Sequence, residues 1–356
     1  MGLRVGYLSD GHEMGGAEIS LGHVLAGQPA DLEATILATD AEVLEHLRSR
    51  RPDARAVLLP EIHSRRDARA VAAHVRAVRA LAPGILHVNQ NRPWGNPWGL
   101  AAGLATRGLK VVTVDQMPRE PESRKHALVK RMTGPRVDAQ VTLGPTMARL
   151  LAQISGVPLE RIRVIPGGIP DAGPAPERRN DPPVVGSVGR LEVQKAHDLM
   201  VRALAELPGV RGVIVGDGEL RDGLVRLAAE LDVADRIEFT GWRDDARDLI
   251  NTWDVFVNPA NFEAQGTAIM EAMLAGVPVV ATAVGGTADV IDEGETGWLT
   301  RPRDAADMAR AIGEALSDPE RLAAVGRRAR EVALERYSAE RMAAQFTALY
   351  RELAGV

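Results

Sequence analysis

Residues 254–282 read DVFVNPANFEAQGTAIMEAMLAGVPVVAT. The run DVFVNP is β-branched and aromatic, NFEAQG is a loop, TAIMEAMLAG has the composition of a helix, and VPVVAT is again extended and apolar. Strand, loop, helix and strand in that order predict a βαβ unit, the building block of a parallel sheet. Two acids, Glu263 and Glu271, interrupt a segment otherwise suited to burial. An ionised carboxylate taken out of water needs a donor, and a bound ligand is one such donor.

The same alternation extends in both directions. Upstream, the β-rich runs LRVGYL, EATILA, AVLLP, GILHVN, KVVTVD, AQVTL and RIRVIP are separated by alanine- and leucine-rich helical patterns. After Ile169 the stretch PDAGPAPERRNDPP (170–183) breaks both periodicities and reads as a linker. The pattern resumes with VVGSVG, RGVIVGDG, RIEFTG, DVFVNP and VPVVAT, and from Asp304 onward it is helical only. The expected fold class is therefore α/β, with two doubly wound Rossmann-like domains over residues 1–169 and 184–337 and a terminal helix over 338–356. Such sheets bind ligands beyond the carboxyl ends of their strands, so two of them are expected to face an interdomain cleft.

A chain of 356 residues suits two domains. Its net charge of −5 offers no global attraction to nucleic acid, so a basic site must be local. With no cysteine, disulfides, thiolate zinc sites and cysteine nucleophiles are excluded. The start MGLRVGYLSDG enters a strand pattern at once, and no run approaches the ~20 apolar residues of a membrane span. A cytoplasmic location is the expectation.

The chemistry gathers at strand ends. VVGSVG runs into GRLEVQK, which puts Gly189, Arg190 and Lys195 at a strand-to-helix turn; a planar guanidinium and a compact ammonium suit a diphosphate. In the segment quoted above, Thr267 is expected as the helix N-cap, and backbone N–H groups at Gln265, Gly266 and Thr267 face an anion at the positive end of the helix. Carboxylates would repel a diphosphate, so Glu263 and Glu271 are read as acceptors for sugar hydroxyls on its two flanks, a transferred sugar and a ribose. VGDGE (215–219) brings backbone at Gly216 near a ligand, but Arg221 at the third glycine position argues against a nicotinamide fingerprint. TGW places Gly241 and Trp242 at the next strand end, against a base or in the core. VGGTADVI (284–291) reads as a packing turn.

In the first half, Gly15 and Gly16 open a helix after the loop SDGHEM, with Glu18 one turn further in, near an acceptor. His12 near Asp10 and Glu13 reads as a solvated loop cluster, and no D-x-D triplet is present to hold a metal on a diphosphate. A metal-independent reaction without a separate cofactor is expected, with Arg190, Lys195 and the helix end stabilising the leaving group.

Together GGAE, GRLEVQK, VGDGE and FEAQGTAIMEAMLAGVPVVAT, followed by VGG, resemble the retaining GT-B glycosyltransferases of glycosyltransferase family 4. The resemblance covers nearly the whole chain, and Glu263-x7-Glu271 after an Arg/Lys pair is its most specific part. It implies a first domain that binds the acceptor, a second that binds a nucleotide-diphosphate sugar, UDP-sugar favoured and GDP-sugar as the alternative, and a last helix that crosses back onto the first domain. It further implies Arg190 and Lys195 on the diphosphate, Glu263 on the donor sugar, Glu271 on the ribose and the Gly16 N–H on the distal phosphate. The leaving phosphate would then assist acceptor deprotonation. Asp115 stands where many members have a histidine facing the donor sugar, and so enters the catalytic set. Ala196 and Ala264 stand where members frequently have glycine, and Gly167-Gly168 where they usually have Asn-Gly; these further departures are expected to be tolerated.

The function expected is transfer of a sugar with retention to a small-molecule or lipid-linked acceptor. The alternatives are a GT-B sugar-nucleotide epimerase and a nucleotide-sugar-binding protein that has lost transfer. Two Arg-rich stretches, 63–81 and 119–131, read first as solvated helix faces and second as peripheral contacts with anionic lipid.

Overall fold

The computed structural model describes the chain except residues 1, 13, 65, 91–94, 122 and 175–178. Glu13 beside His12, Arg65 and Glu122 of the basic stretches, and residues 175–178 of the linker thus lie outside the described residues. The chain divides into two compact units, Met1–Pro170 with Ala339–Val356, and Asp171–Ser338.

In the first unit, β1 (Leu3–Ser9), β2 (Leu32–Ala38), β3 (Arg55–Leu58), β4 (Gly84–Gln90), β5 (Leu109–Asp115), β6 (Ala139–Thr142) and β7 (Ile162–Val164) form one sheet in the order β3-β2-β1-β4-β5-β6-β7. All its pairings are parallel. In the second unit, β8 (Val184–Val188), β9 (Arg211–Val215), β10 (Ile237–Gly241), β11 (Val255–Asn258), β12 (Val279–Thr282) and β13 (Gly297–Thr300) pair in the order β10-β9-β8-β11-β12-β13, again all parallel. Both orders are Rossmann-like, and each reverses direction at one place: between β1 and β4, and between β8 and β11. Helices on both faces explain why VFVN of β11 and VVAT of β12 are buried throughout rather than alternating.

Local signals set the helix starts. Asp40 accepts from the backbone of Glu42 and Val43, Asp304 from Asp307, and Asp318 from Glu320 and Arg321, each opening a helix. One strand went unread in the sequence: GWLT forms β13, with Trp298 in the core of the second unit. It follows the turn EGET, opens on a glycine and carries a single β-branched residue, Thr300, so it lacks the β-branched run that marks the equally short VFVN and VVAT. The last helix, Ala339–Ala354, buries Met342, Phe346 and Tyr350 in the core of the first unit. There the Tyr350 hydroxyl lies 2.6 Å from His87 Nδ1.

Candidate active site

The direction reversal in the second sheet puts the loops after β8 and β11 side by side, and both carry charged residues singled out above. Lys195 Nζ donates to Glu263 Oε2 at 2.6 Å, with the glutamate side chain almost wholly buried and the lysine about a quarter exposed. Hydrogen bonds between the two loops hold the contact: Asn261 N donates to the Gln194 carbonyl at 2.8 Å, Asn261 Nδ2 to the Val193 carbonyl at 2.8 Å, and Gln194 Nε2 to the Phe262 carbonyl at 3.2 Å. Arg190 is exposed and pairs with Glu192 at 3.1 Å. Sequence reading gave Lys195 to a diphosphate and Glu263 to a sugar; their direct pairing, and the stitching role of Gln194 and Asn261, had no signal in spacing.

Two glycines explain how such loops pack closely. Gly216 has φ +139°, and a Cβ there would stand 2.0 Å from the Gly189 carbonyl oxygen. The Gly189 N–H donates to Val215 and the Gly216 N–H to Gly241, at 3.0 and 2.9 Å, which ties together the carboxyl ends of β8, β9 and β10. At Gly285, φ +55°, a Cβ would meet the Glu263 carbonyl at 2.0 Å, and the Gly286 N–H donates to that carbonyl at 2.9 Å. The VGG turn therefore packs, as expected, and what it packs against is the backbone of Glu263.

The helix after β11 spans Thr267–Ala275. Thr267 is its first residue rather than its N-cap; that position belongs to Gly266 at φ +87°, a left-handed conformation that threonine would adopt only with strain. Gln265 and Gly266 are buried at the helix start, and Thr267 is half-buried. Glu271 lies one turn in, and burial pushes its carboxyl up while the positive charge of Arg247 opposes the shift. Trp242 is not core: it is 69 % exposed beyond β10, its indole N–H donating to Asp244 at 3.2 Å.

The first unit has its own polar edge at the β1/β4 reversal. Gly15 caps and Gly16 begins the helix Gly16–Ala26. Glu18 is buried and accepts from the Ser9 hydroxyl at 3.3 Å. Asp10 accepts from the backbone and side chain of Asn96, which also donates to the Asn89 carbonyl at 3.0 Å. His12 lies 3.4 Å from Glu61. Asp115, at the end of β5, is buried and bound to Lys130 Nζ at 2.5 Å; the same ammonium donates to Gln90 Oε1 at 3.0 Å. Lys130, counted above among surface cations, is thus an interior residue.

Residues 171–332 match the family described as glycosyl transferases group 1, and residues 14–172 match Glycosyltransferase Family 4. The 2-deoxystreptamine glucosyltransferase of Streptomyces kanamyceticus is 31% identical over 294 residues, 73% of this chain and 76% of that protein. The lipopolysaccharide core biosynthesis glycosyltransferase LpsE of Rhizobium meliloti (strain 1021) is 38% identical over 160 residues, 45% of this chain and 47% of that protein. The D-inositol 3-phosphate glycosyltransferase of Nocardia farcinica is 34% identical over 238 residues, 59% and 51% of the two chains. The chain thus spans about half the length of these last two relatives. Among solved structures, Anabaena HepE in complex with UDP superposes with a TM-score of 0.85 at 21% identity, covering 99% of this chain and 100% of that one. Sucrose-phosphate synthase from Thermosynechococcus elongatus gives 0.80 at 23%, covering 99% of each. At such identities the likeness concerns the fold, which is GT-B. The relatives are glycosyltransferases, which sets aside the epimerase alternative.

Proposed function

The chain belongs to the GT-B glycosyltransferases, and from that premise we propose that it moves a sugar, with retention of configuration, from a nucleoside diphosphate sugar to a small-molecule or lipid-linked acceptor. The observation that carries the reading is the meeting of Lys195 and Glu263 beyond β8 and β11. One ammonium and one buried carboxylate in contact match a ligand that is anionic on one side and rich in hydroxyls on the other. The second unit is the donor-binding one and the first the acceptor-binding one.

Lys195, Arg190 and the N–H groups at the start of the helix Thr267–Ala275 draw charge from the diphosphate as the glycosidic bond breaks, so the positive charge needed at the leaving group is supplied without invoking a metal or another cofactor. Glu263 accepts from hydroxyls of the transferred sugar and Glu271 from the ribose; the exposed face of Trp242 suits stacking of the base. Retention follows if the departing phosphate oxygen takes the acceptor proton on the face it leaves. Preference for uridine is part of the proposal, as is the family 4 assignment.

Calorimetric titration with UDP, GDP and ADP tests the reading. Binding of one of them that Glu271→Ala weakens, followed by an NMR assignment of an unchanged anomeric configuration in the product, is the expected result. Absence of binding by all three overturns it. Asp115 in place of histidine motivates the second reading, a binder without transfer, which predicts nucleotide binding with no donor hydrolysis.

A further inference from the structure

The helix Arg124–Thr133 is built inside out. Its sequence, RKHALVKRMT, contains no acid, and the one side chain it buries is a lysine, Lys130, held by Asp115 and Gln90. Its large apolar side chains face solvent: Leu128 is 59% exposed, Val129 42% and Met132 51%. At the helical period these three lie on one side together with Lys125, and Arg124 and Arg131, both exposed, border them. Glu120, before the helix, is the exposed acid nearest in sequence among the described residues. The other basic helix, Ala68–Arg79, behaves differently: it buries Val78 and His74 and leaves no large apolar side chain exposed.

Exposing three adjacent large apolar side chains forgoes the burial that a different register would give, whereas a buried Lys130 requires its own buried counter-ion. The register is therefore fixed by the Asp115–Lys130 pair, and its consequence is an outward face that is apolar at the centre and cationic at the rim. Among large surfaces, that pairing of apolar centre and positive rim complements the interface of a bilayer with anionic headgroups: the apolar side chains reach the acyl boundary while Lys125, Arg124 and Arg131 meet phosphates. We propose that the helix Arg124–Thr133 is a peripheral docking face for an anionic lipid surface, with Leu128, Val129 and Met132 as its insertion residues. The proposal is independent of the donor and of the reaction.

Flotation with vesicles of equal parts phosphatidylcholine and phosphatidylglycerol, and with vesicles of phosphatidylcholine alone, tests it on the full chain. The protein is expected to float with the first and not the second, and Met132→Asp to lower the bound fraction by about tenfold or more. Reversal of Arg69 and Arg76 to Glu on the other helix is expected to leave binding unchanged. Thermal melting checks that Met132→Asp folds; should it melt early, Lys125→Glu is the second variant, with the same loss expected and added salt reproducing it. No flotation of the wild type, flotation untouched by both variants, or flotation lost with the Arg69/Arg76 reversal each overturns the proposal. So does a wild-type dimer that Met132→Asp converts to monomer, because a second copy then covers the face.

Discussion

Lys195 Nζ and Glu263 Oε2 stand 2.6 Å apart where the strand order of the second sheet reverses, so each is the other's counter-ion. A diphosphate placed on Lys195 has to share that ammonium with a buried carboxylate, and a sugar whose hydroxyls donate to Glu263 relieves the competition.

Glu263→Gln is therefore expected to separate two properties. UDP, which carries no sugar, should bind about tenfold more tightly because the ammonium is no longer shared, whereas transfer should fall by at least about tenfold as the sugar loses its acceptor. Calorimetry and turnover measured on one preparation check this. Weaker UDP binding by the variant would show that Glu263 does not compete for Lys195.

Asp115 and Lys130 form an ion pair in the first unit, and Asp115 Oδ2 is buried without a hydrogen-bond partner among the described residues. Removing one charge strands the other: Asp115→Ala or Lys130→Met should each cost about 3–5 kcal/mol, and the Asp115→Leu/Lys130→Met pair should recover most of that loss. Urea unfolding gives all of these values. Equal losses in single and double variants would mean that the pair contributes through some other contact.

Ala196 caps the helix His197–Ala205 at φ 48°, ψ 43°, whereas Ala264 is absent from the positive-φ positions. Of the two alanines that the resemblance marks as usual glycines, only Ala196 occupies a conformation that disfavours a Cβ. Ala196→Gly should raise stability by up to about 1 kcal/mol, and Ala264→Gly should lower it by about 0.5–1 kcal/mol. Thermal midpoints moving in the same direction for both would refute the distinction.

Burial lowers the His87 imidazole from 6.5 to about 3 and the His197 imidazole to about 4, the Lys195 charge adding to the latter. Both fold neutral, and below pH 6.5 both gain protons in the unfolded chain first. Their contribution is complete above 6.5 and is lost as pH falls through about 4 and then 3. Within that window each histidine costs the folded state about 1.4 kcal/mol for every tenfold rise in proton concentration. Glu271, pushed up by burial, has the opposite sign. Urea midpoints should fall steadily on acidification from pH 6.5, and His87→Leu with Tyr350→Phe should flatten the first unit's share.

By itself the sequence carried the architecture, because β-rich runs and helical patterns are local and repeat along the chain: the seven strands of the first sheet and five of the six in the second were readable, and only the four-residue GWLT was not. It also carried the identity of the charged groups at the strand ends, since glycines and a strand-to-helix turn mark those places within a few residues. What it left open was partnership. Lys195 and Glu263 are 68 residues apart, and only the β8–β11 pairing brings them into contact. The positive charge of Arg247 bears on Glu271, 24 residues further along the chain, through tertiary packing as well. Thr267 lost the N-cap to Gly266 because backbone conformation, not side-chain chemistry, decides that position. Lys130 read as one more surface cation on a basic helix; the tertiary structure turned it inward, since Asp115 at the end of β5 needs a counter-ion, and in doing so it turned Leu128, Val129 and Met132 outward.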